Sequence, residues 1–217
     1  MRSWVSAAVK RAIRVVCWAT ITVLGATNAM AIEEAAYRVV TTDGLFEIRD
    51  YAPLVVAETL VEGTLEEAGN AAFNRLFRYI SGGNRSRENL ATAAPVSQQP
   101  KGEKIAMTAP VAQQRVQERW AVSFTMPATY TLETLPAPEN PQVTLRQVPA
   151  RRMAAVRYSG SWSEKSYLRH KTELESWMRA KGHASAGAPL WARYNSPFSL
   201  WFMRRNEILI PVAAGAD

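Results

Sequence analysis

Two stretches of the chain read as strands and then change period. Phe46 to Glu62 and Val143 to Ser159 are rich in Val, Leu, Tyr and Thr, side chains that suit a pleated, half-buried surface. Each carries a central proline, Pro53 or Pro149, which cannot donate to a ladder and so predicts a strand break or bulge. Each stretch ends near a glycine, Gly63 or Gly160, followed by Thr64-x-x-Glu67 or Ser161-x-x-Glu164. That spacing is a capping box, in which a hydroxyl and a carboxylate satisfy orphan amides at a helix start, and it predicts two helices. In the first, Leu65, Ala68, Ala72, Leu76 and Tyr79 fall on one stripe, as packing on a sheet requires. Phe73, Phe77 and Ile80 form a second apolar shoulder roughly 100° away, more than docking needs. In the second helix His170, Leu174 and Trp177 share a face, and Gly182 before His183 supplies a C-terminal cap.

Sliding the sequence over itself by 97 residues aligns these features without a gap. Ile48-Arg49 falls on Leu145-Arg146, Ala57 on Ala154, Gly63 on Gly160, and the two boxes on each other. Beyond the helices the offset changes: Met107 to Val111 is similar to Tyr194 to Phe198, and Val122 to Pro127 is similar to Glu207 to Pro211. The predicted unit is strand, helix, strand, strand, used twice, over about 37–130 and about 140–212. A shorter repeat sits inside the first unit, where Glu88 to Gln99 recurs 15 residues later as Glu103 to Gln114 across a Pro100-Lys101-Gly102 turn. Neither unit can bury a sheet face alone. The expected class is therefore α+β, with two pseudo-two-fold related units sharing one antiparallel sheet or barrel and both helices packed outside.

The N-terminus belongs to a different pattern. Arg2, Lys10, Arg11 and Arg14 precede an apolar run from Val15 to Ala26 and a small-x-small site at Ala29-Met30-Ala31, the features of a cleavable export signal over residues 1–31. The apolar run is short of the roughly 20 residues a spanning helix needs, and Arg14 to Val16 is not the small apolar box that a lipoprotein cysteine requires. The expected mature chain, Ile32 to Asp217, is a single periplasmic or secreted domain with no stable membrane span. Cys17, the chain's one cysteine, leaves with the signal, which excludes disulfides, thiolate chemistry and thioether haem attachment in the mature domain. Charge changes too: the formal +7 includes the four basic residues of the signal, leaving 22 basic against 19 acidic residues. A balance of +3 is ordinary and is weak evidence for nucleic acid binding, which would want a basic stripe on one face, so no nucleic acid partner is expected.

Four segments resemble the recurrent motifs of SOUL-type haem-binding proteins: Phe77 to Asn84, Lys104 to Val111, Phe124 to Pro127, and Arg204 to Pro211. The likeness runs in order from Tyr37 to about Val212. It implies a distorted eight-stranded antiparallel barrel with two long helices, and non-covalent binding of haem or a related porphyrin in an apolar cleft beside the first helix. In the family that helix presents long apolar side chains, and sometimes a basic residue, to the ligand; the matching positions here are Phe73, Phe77 and Asn70. Ile80 continues the same shoulder. Asn70 cannot pair with a propionate as an arginine would, so Arg75, Arg78 or Arg193 are the candidate substitutes, because a guanidinium suits carboxylates. For the iron, His170 aligns with Phe73 at the 97-residue shift and is the candidate axial or pocket residue, while Met107 and Tyr194 are further pocket candidates.

Two other classes of function compete. No phosphate loop, His-Glu-x-x-His, nucleophile elbow or paired histidines at metal spacing occur in the sequence, so no catalysis is expected. The two-unit plan also resembles gyrase-inhibitor-like effector domains, which take cationic or amphipathic molecules in a cleft centred on a buried carboxylate. Glu207 would be that carboxylate: facing inward onto an open cleft it favours an effector, facing outward it favours the porphyrin. A structural envelope protein would instead expose Trp191, Phe198, Trp201 and Phe202 as a contact patch.

Overall fold

A computed structural model describes residues 32–86, 102–196 and 198–213. The predicted export signal and the first copy of the short internal repeat, Glu88 to Gln99, lie outside the described residues. In order, the elements are β1 (Glu33–Glu34), β2 (Tyr37–Asp43), β3 (Phe46–Tyr51), β4 (Leu54–Val61), α1 (Leu65–Ile80), β5 (Asn84–Arg85), β6 (Thr108–Ala109), β7 (Val111–Val116), β8 (Arg119–Thr125), β9 (Ala137–Pro138), β10 (Thr144–Val148), β11 (Arg151–Tyr158), α2 (Glu164–Ala180), β12 (Leu190–Arg193) and β13 (Asn206–Pro211). No described helix is long and apolar enough to cross a membrane.

Nine strands make one curled antiparallel sheet in the order β10-β4-β8-β7-β12-β13-β11-β3-β2. The class is the α+β arrangement expected, with two helices and an antiparallel sheet. The sheet has nine strands rather than eight because β2 folds back on β3 as an added edge. Pro53 and Pro149 sit in the breaks between β3 and β4 and between β10 and β11, as the missing donor requires. The strands on either side of each break do not pair with each other. Instead β3 pairs with β11, Ile48 opposite Ala154, and β10 pairs with β4, Leu145 opposite Ala57. Those two registers coincide after the 97-residue shift. Past the helices the two predicted matches part: Val122 to Pro127 and Glu207 to Pro211 fall on β8 and β13, which hold equivalent places in the sheet order, whereas Met107 to Val111 leads into β7 and Tyr194 lies just beyond the end of β12.

The helices cover one face of the sheet. The stripe Leu65, Ala68, Ala72, Leu76 and Tyr79 is buried, as predicted, against Ala57, Val122, Phe124 and their neighbours. Burying one such Leu side chain contributes roughly 1.5–3 kcal/mol. A smaller cluster of Tyr51, Met153, Ala155, Leu190, Ala192 and Leu209 fills the opposite face. The central strands β11 and β13 are thus apolar on both sides, which is why Met153 to Val156 and Ile208 to Ile210 read as continuous runs. Alternation along β12 turns Trp191 toward the helices, where it is fully buried beside Tyr167; it is not part of an exposed patch.

The two helix starts differ. At α1 the capping box forms as predicted: Glu67 N donates to Thr64 Oγ1 at 3.3 Å and Thr64 N to the Glu67 carboxylate at 3.1 Å. At α2 the cap is Ser163, which accepts from Ser166 N at 3.3 Å, and the Ser161 box does not form. Two extra residues, Ser161 and Trp162, intervene between Gly160 and the cap, and they swing the Trp162 indole over the sheet. Both helices end in glycines of positive φ, Gly82 and Gly182, with Gly83 N donating to Arg78 O and His183 N to Met178 O at 2.9 Å each, the Schellman pattern.

Candidate ligand-binding cleft

A cleft of about 360 Å³ opens between α1 and the segment that follows β12, a size suited to a small-molecule ligand. From α1 come Gly69, Asn70, Phe73 and Asn74; Val111, Trp162, Asn195 and Phe198 complete it around Arg193. Phe73 is half-buried, its ring tilted against Phe124 at 5.4 Å and stacked on Phe77 at 5.7 Å with an 11° interplanar angle. Phe77 continues that wall outward and is 46% exposed. Neither ring is enclosed by the protein, so the surplus aromatic surface of α1 adjoins an open groove.

Arg193 forms the polar end of the cleft. It is 8% exposed, with its guanidinium 5.1 Å from the Trp162 ring centroid and 4.9 Å from that of Trp191. Its Nη2 donates to Gln113 Oε1 at 3.0 Å, and Gln113 Nε2 in turn donates to Leu65 O at 2.7 Å. Its Nε is buried with no hydrogen-bond partner among the described residues. Gly69 makes room for this group: a Cβ there would lie 2.5 Å from Arg193 Nη2. Burial pulls the Arg193 pKa down to about 10, so it remains a cation at neutral pH.

Of the residues expected at the site, Asn70 and Phe73 line the cleft and Phe77 extends its wall. Ile80 is 4% exposed and belongs to the core, because the returning chain caps the helix end with Ile105 N donating to Ile80 O at 2.8 Å. Met107, partly exposed ahead of β6, is not among the lining residues. His170 stands away from the cleft on α2, stacked on Tyr158 at 4.0 Å and bonded to Glu173 through Nδ1 at 2.8 Å. Tyr194 turns to the other face of the sheet, where its hydroxyl donates to Glu207 at 2.8 Å. Trp162, Val111, Asn74 and Asn195 escaped the sequence reading. Only Trp162 left a signal, as the large residue inserted between an aligned glycine and a helix cap.

Glu207 is fully buried on that second face. Arg49 reaches it through Nη1 at 2.7 Å and Nη2 at 3.3 Å, and Arg205 Nε reaches it at 3.0 Å. Its oxygens are therefore taken by two guanidinium groups and a tyrosine, and it lines none of the grooves described. The groove on this face holds about 60 Å³. A roomier hollow of about 440 Å³ lies beside the N-terminal arm, where Glu33, Glu34 and Glu133 ring Pro53, Met126 and Tyr130.

The model of the family described as SOUL heme-binding protein matches residues 32–211. The chain belongs to the SOUL haem-binding family. No curated protein matches its sequence. Among solved structures, this SOUL chain is similar to a hydrolase from Listeria innocua at 10% identity and a TM-score of 0.50, covering 80% of this chain and 94% of that one. It is also similar to EcmrR in a DNA complex, at 12% identity and a TM-score of 0.52, over 77% of this chain and 57% of that one. An uncharacterised conserved protein from Listeria innocua gives a TM-score of 0.50 at 10% identity, over 77% and 92% of the two chains. At such identities the likeness concerns the fold alone.

Proposed function

We propose that this SOUL protein holds haem or a related tetrapyrrole non-covalently in the cleft beside α1, as an exported, non-catalytic binder that carries, buffers or sequesters the pigment. One observation carries the reading: the stacked Phe73 and Phe77 rings present aromatic surface that the fold leaves partly uncovered, next to a groove of about 360 Å³. Flat apolar ligands are held mainly by burial and ring stacking, and such a surface offers both. The lining residues fit a porphyrin ring and its carboxylates; they include no His, Cys, Met or Tyr that would hold the iron. When bound, haem would supply its own redox and ligand-binding chemistry at the iron. The chain's part is to bury one ring face on Phe73 and Phe77 and to keep the cationic end of the cleft toward the ring's acid edge. The effector alternative is weakened by Glu207, whose charge is already met by Arg49 and Arg205.

Hemin titrated into the purified protein tests this. A shifted Soret band that saturates near one equivalent, and weakens in Phe73→Ala with Phe77→Ala, is the expected result. Non-saturating uptake that ignores both substitutions would reduce it to adventitious adsorption, and haem degradation or ester hydrolysis by the protein would end the non-catalytic part.

A further inference from the structure

Several arginines of the domain are matched with acids. Arg49 and Arg205 share Glu207, Arg38 and Arg152 meet Asp50, and Arg146 meets Glu58. Arg193 is more than nine-tenths buried, yet among the described residues it has no carboxylate partner, a single hydrogen-bond partner in Gln113, and an Nε with none. A buried charge left in this state is costly unless something compensates it. Contact with the Trp162 and Trp191 rings recovers part of that cost, but a ring supplies no hydrogen-bond acceptor in the guanidinium plane, and Nε stays without one.

The surroundings hold that edge in place. Gln113 cannot swing away, because its own amide is committed to Leu65 O. Gly69 brings the α1 backbone close against the guanidinium, and its missing side chain is what allows the approach. The group is thus pre-oriented at the inner end of a cleft whose other wall is aromatic, and it stays protonated at neutral pH.

We infer that Arg193 is the carboxylate receptor of this cleft, so that its ligand is a flat apolar acid whose carboxylate meets the guanidinium while its ring lies on Phe73 and Phe77. The inference rests on the tetrapyrrole reading above and narrows it to acid-bearing rings. Asn70, on the rim, offers an amide where a cation would otherwise grip the acid, and Arg193 supplies that cation from β12 instead. A hydrogen bond to a charged group is worth about 1.5–3 kcal/mol, which corresponds to roughly 10- to 100-fold in affinity.

The test compares protoporphyrin IX with its dimethyl ester by quenching of tryptophan fluorescence, on the wild-type protein and on Arg193→Gln. The free acid is expected to bind the wild type about 10- to 100-fold more tightly than the ester. Arg193→Gln should remove most of that difference by weakening the acid while leaving the ester unchanged. The ester arm needs no substitution, so it decides the matter even if Arg193→Gln folds poorly. Equal binding of acid and ester by the wild type overturns the role of Arg193 but leaves the tetrapyrrole reading standing. Saturable binding of neither overturns both.

Discussion

Phe73 and Phe77, one helical turn apart on α1, stack face to face at 5.7 Å, and only the inner ring is tied to the core through Phe124 at 5.4 Å. The two rings therefore separate folding from binding. Phe77→Ala removes an exposed ring and should change stability by no more than about 0.5 kcal/mol. It should nevertheless weaken porphyrin binding by roughly 2- to 10-fold, the worth of one aromatic contact. Phe73→Ala removes a half-buried ring and should lower stability by about 2 kcal/mol, less than the fully buried case, as well as weakening binding. Urea unfolding beside a Soret titration of each variant measures both.

Iron ligation gives a second separation. His170 is committed on both sides, to Glu173 through Nδ1 and to Arg169 through Nε2, with its ring on Tyr158. A histidine so placed works for the helix and lies outside the cleft lining. His170→Ala is expected to leave the position and saturation of the hemin Soret band unchanged. Loss or displacement of the band in that variant would bring α2 into the site.

Local signals in the sequence reported the local structure well. The α1 stripe, the two proline breaks and the Gly182 end of α2 all follow from steric and hydrogen-bonding needs of a few neighbouring residues. What stayed hidden is non-local. Pro53 read as a strand break or bulge, and nothing nearby says that β3 leaves β4 to pair with β11. A helical wheel placed Ile80 on the ligand shoulder because it knows only its own helix; Ile105 and the chain around it cover that turn from outside. Asn70, Phe73 and Phe77 were legible as surplus surface, whereas Trp162 and the packing of Arg193 depend on loops that only the tertiary structure brings together.

Glu207 shows what the opposite face of the sheet is built for. Burial alone would pull the Arg49 guanidinium down, but its hydrogen bonds and charge contact with Glu207 push it above its ordinary value. Burial, reinforced by the Glu207 charge, drives the Tyr194 hydroxyl up, so it stays a donor. Removing one partner of a buried pair leaves the other uncompensated, at a cost of about 3–5 kcal/mol. Glu207→Gln should therefore lower stability by about 3 kcal/mol in urea unfolding. Wherever the variant is folded, hemin affinity should match the wild type, because this network lies on the far side of the sheet from the cleft. A selective loss of hemin binding with stability intact would move the site to Glu207.

The start of α2 offers a test in which the sequence pattern and the structure disagree. By spacing, Ser161 is the cap and Glu164 its reciprocal partner; by geometry, Ser163 accepts from Ser166 N, Glu164 is the first helical residue, and Ser161 caps nothing. An N-cap hydroxyl is worth about 1 kcal/mol. Ser163→Ala should thus destabilise the domain by about 1 kcal/mol, and Ser161→Ala by a few tenths at most. The two residues Ser161 and Trp162 displace the cap from its expected place, and they also bring the indole onto Arg193, with Trp162 Nε1 fixed by Asn206 Oδ1 at 2.8 Å. Deleting both should place Ser163 directly after Gly160, the glycine-to-cap spacing that Gly63 and Thr64 have at α1, while removing one wall of the cleft. Thermal unfolding should then change little compared with the loss of porphyrin affinity; an unchanged affinity would mean that the inserted tryptophan serves packing alone.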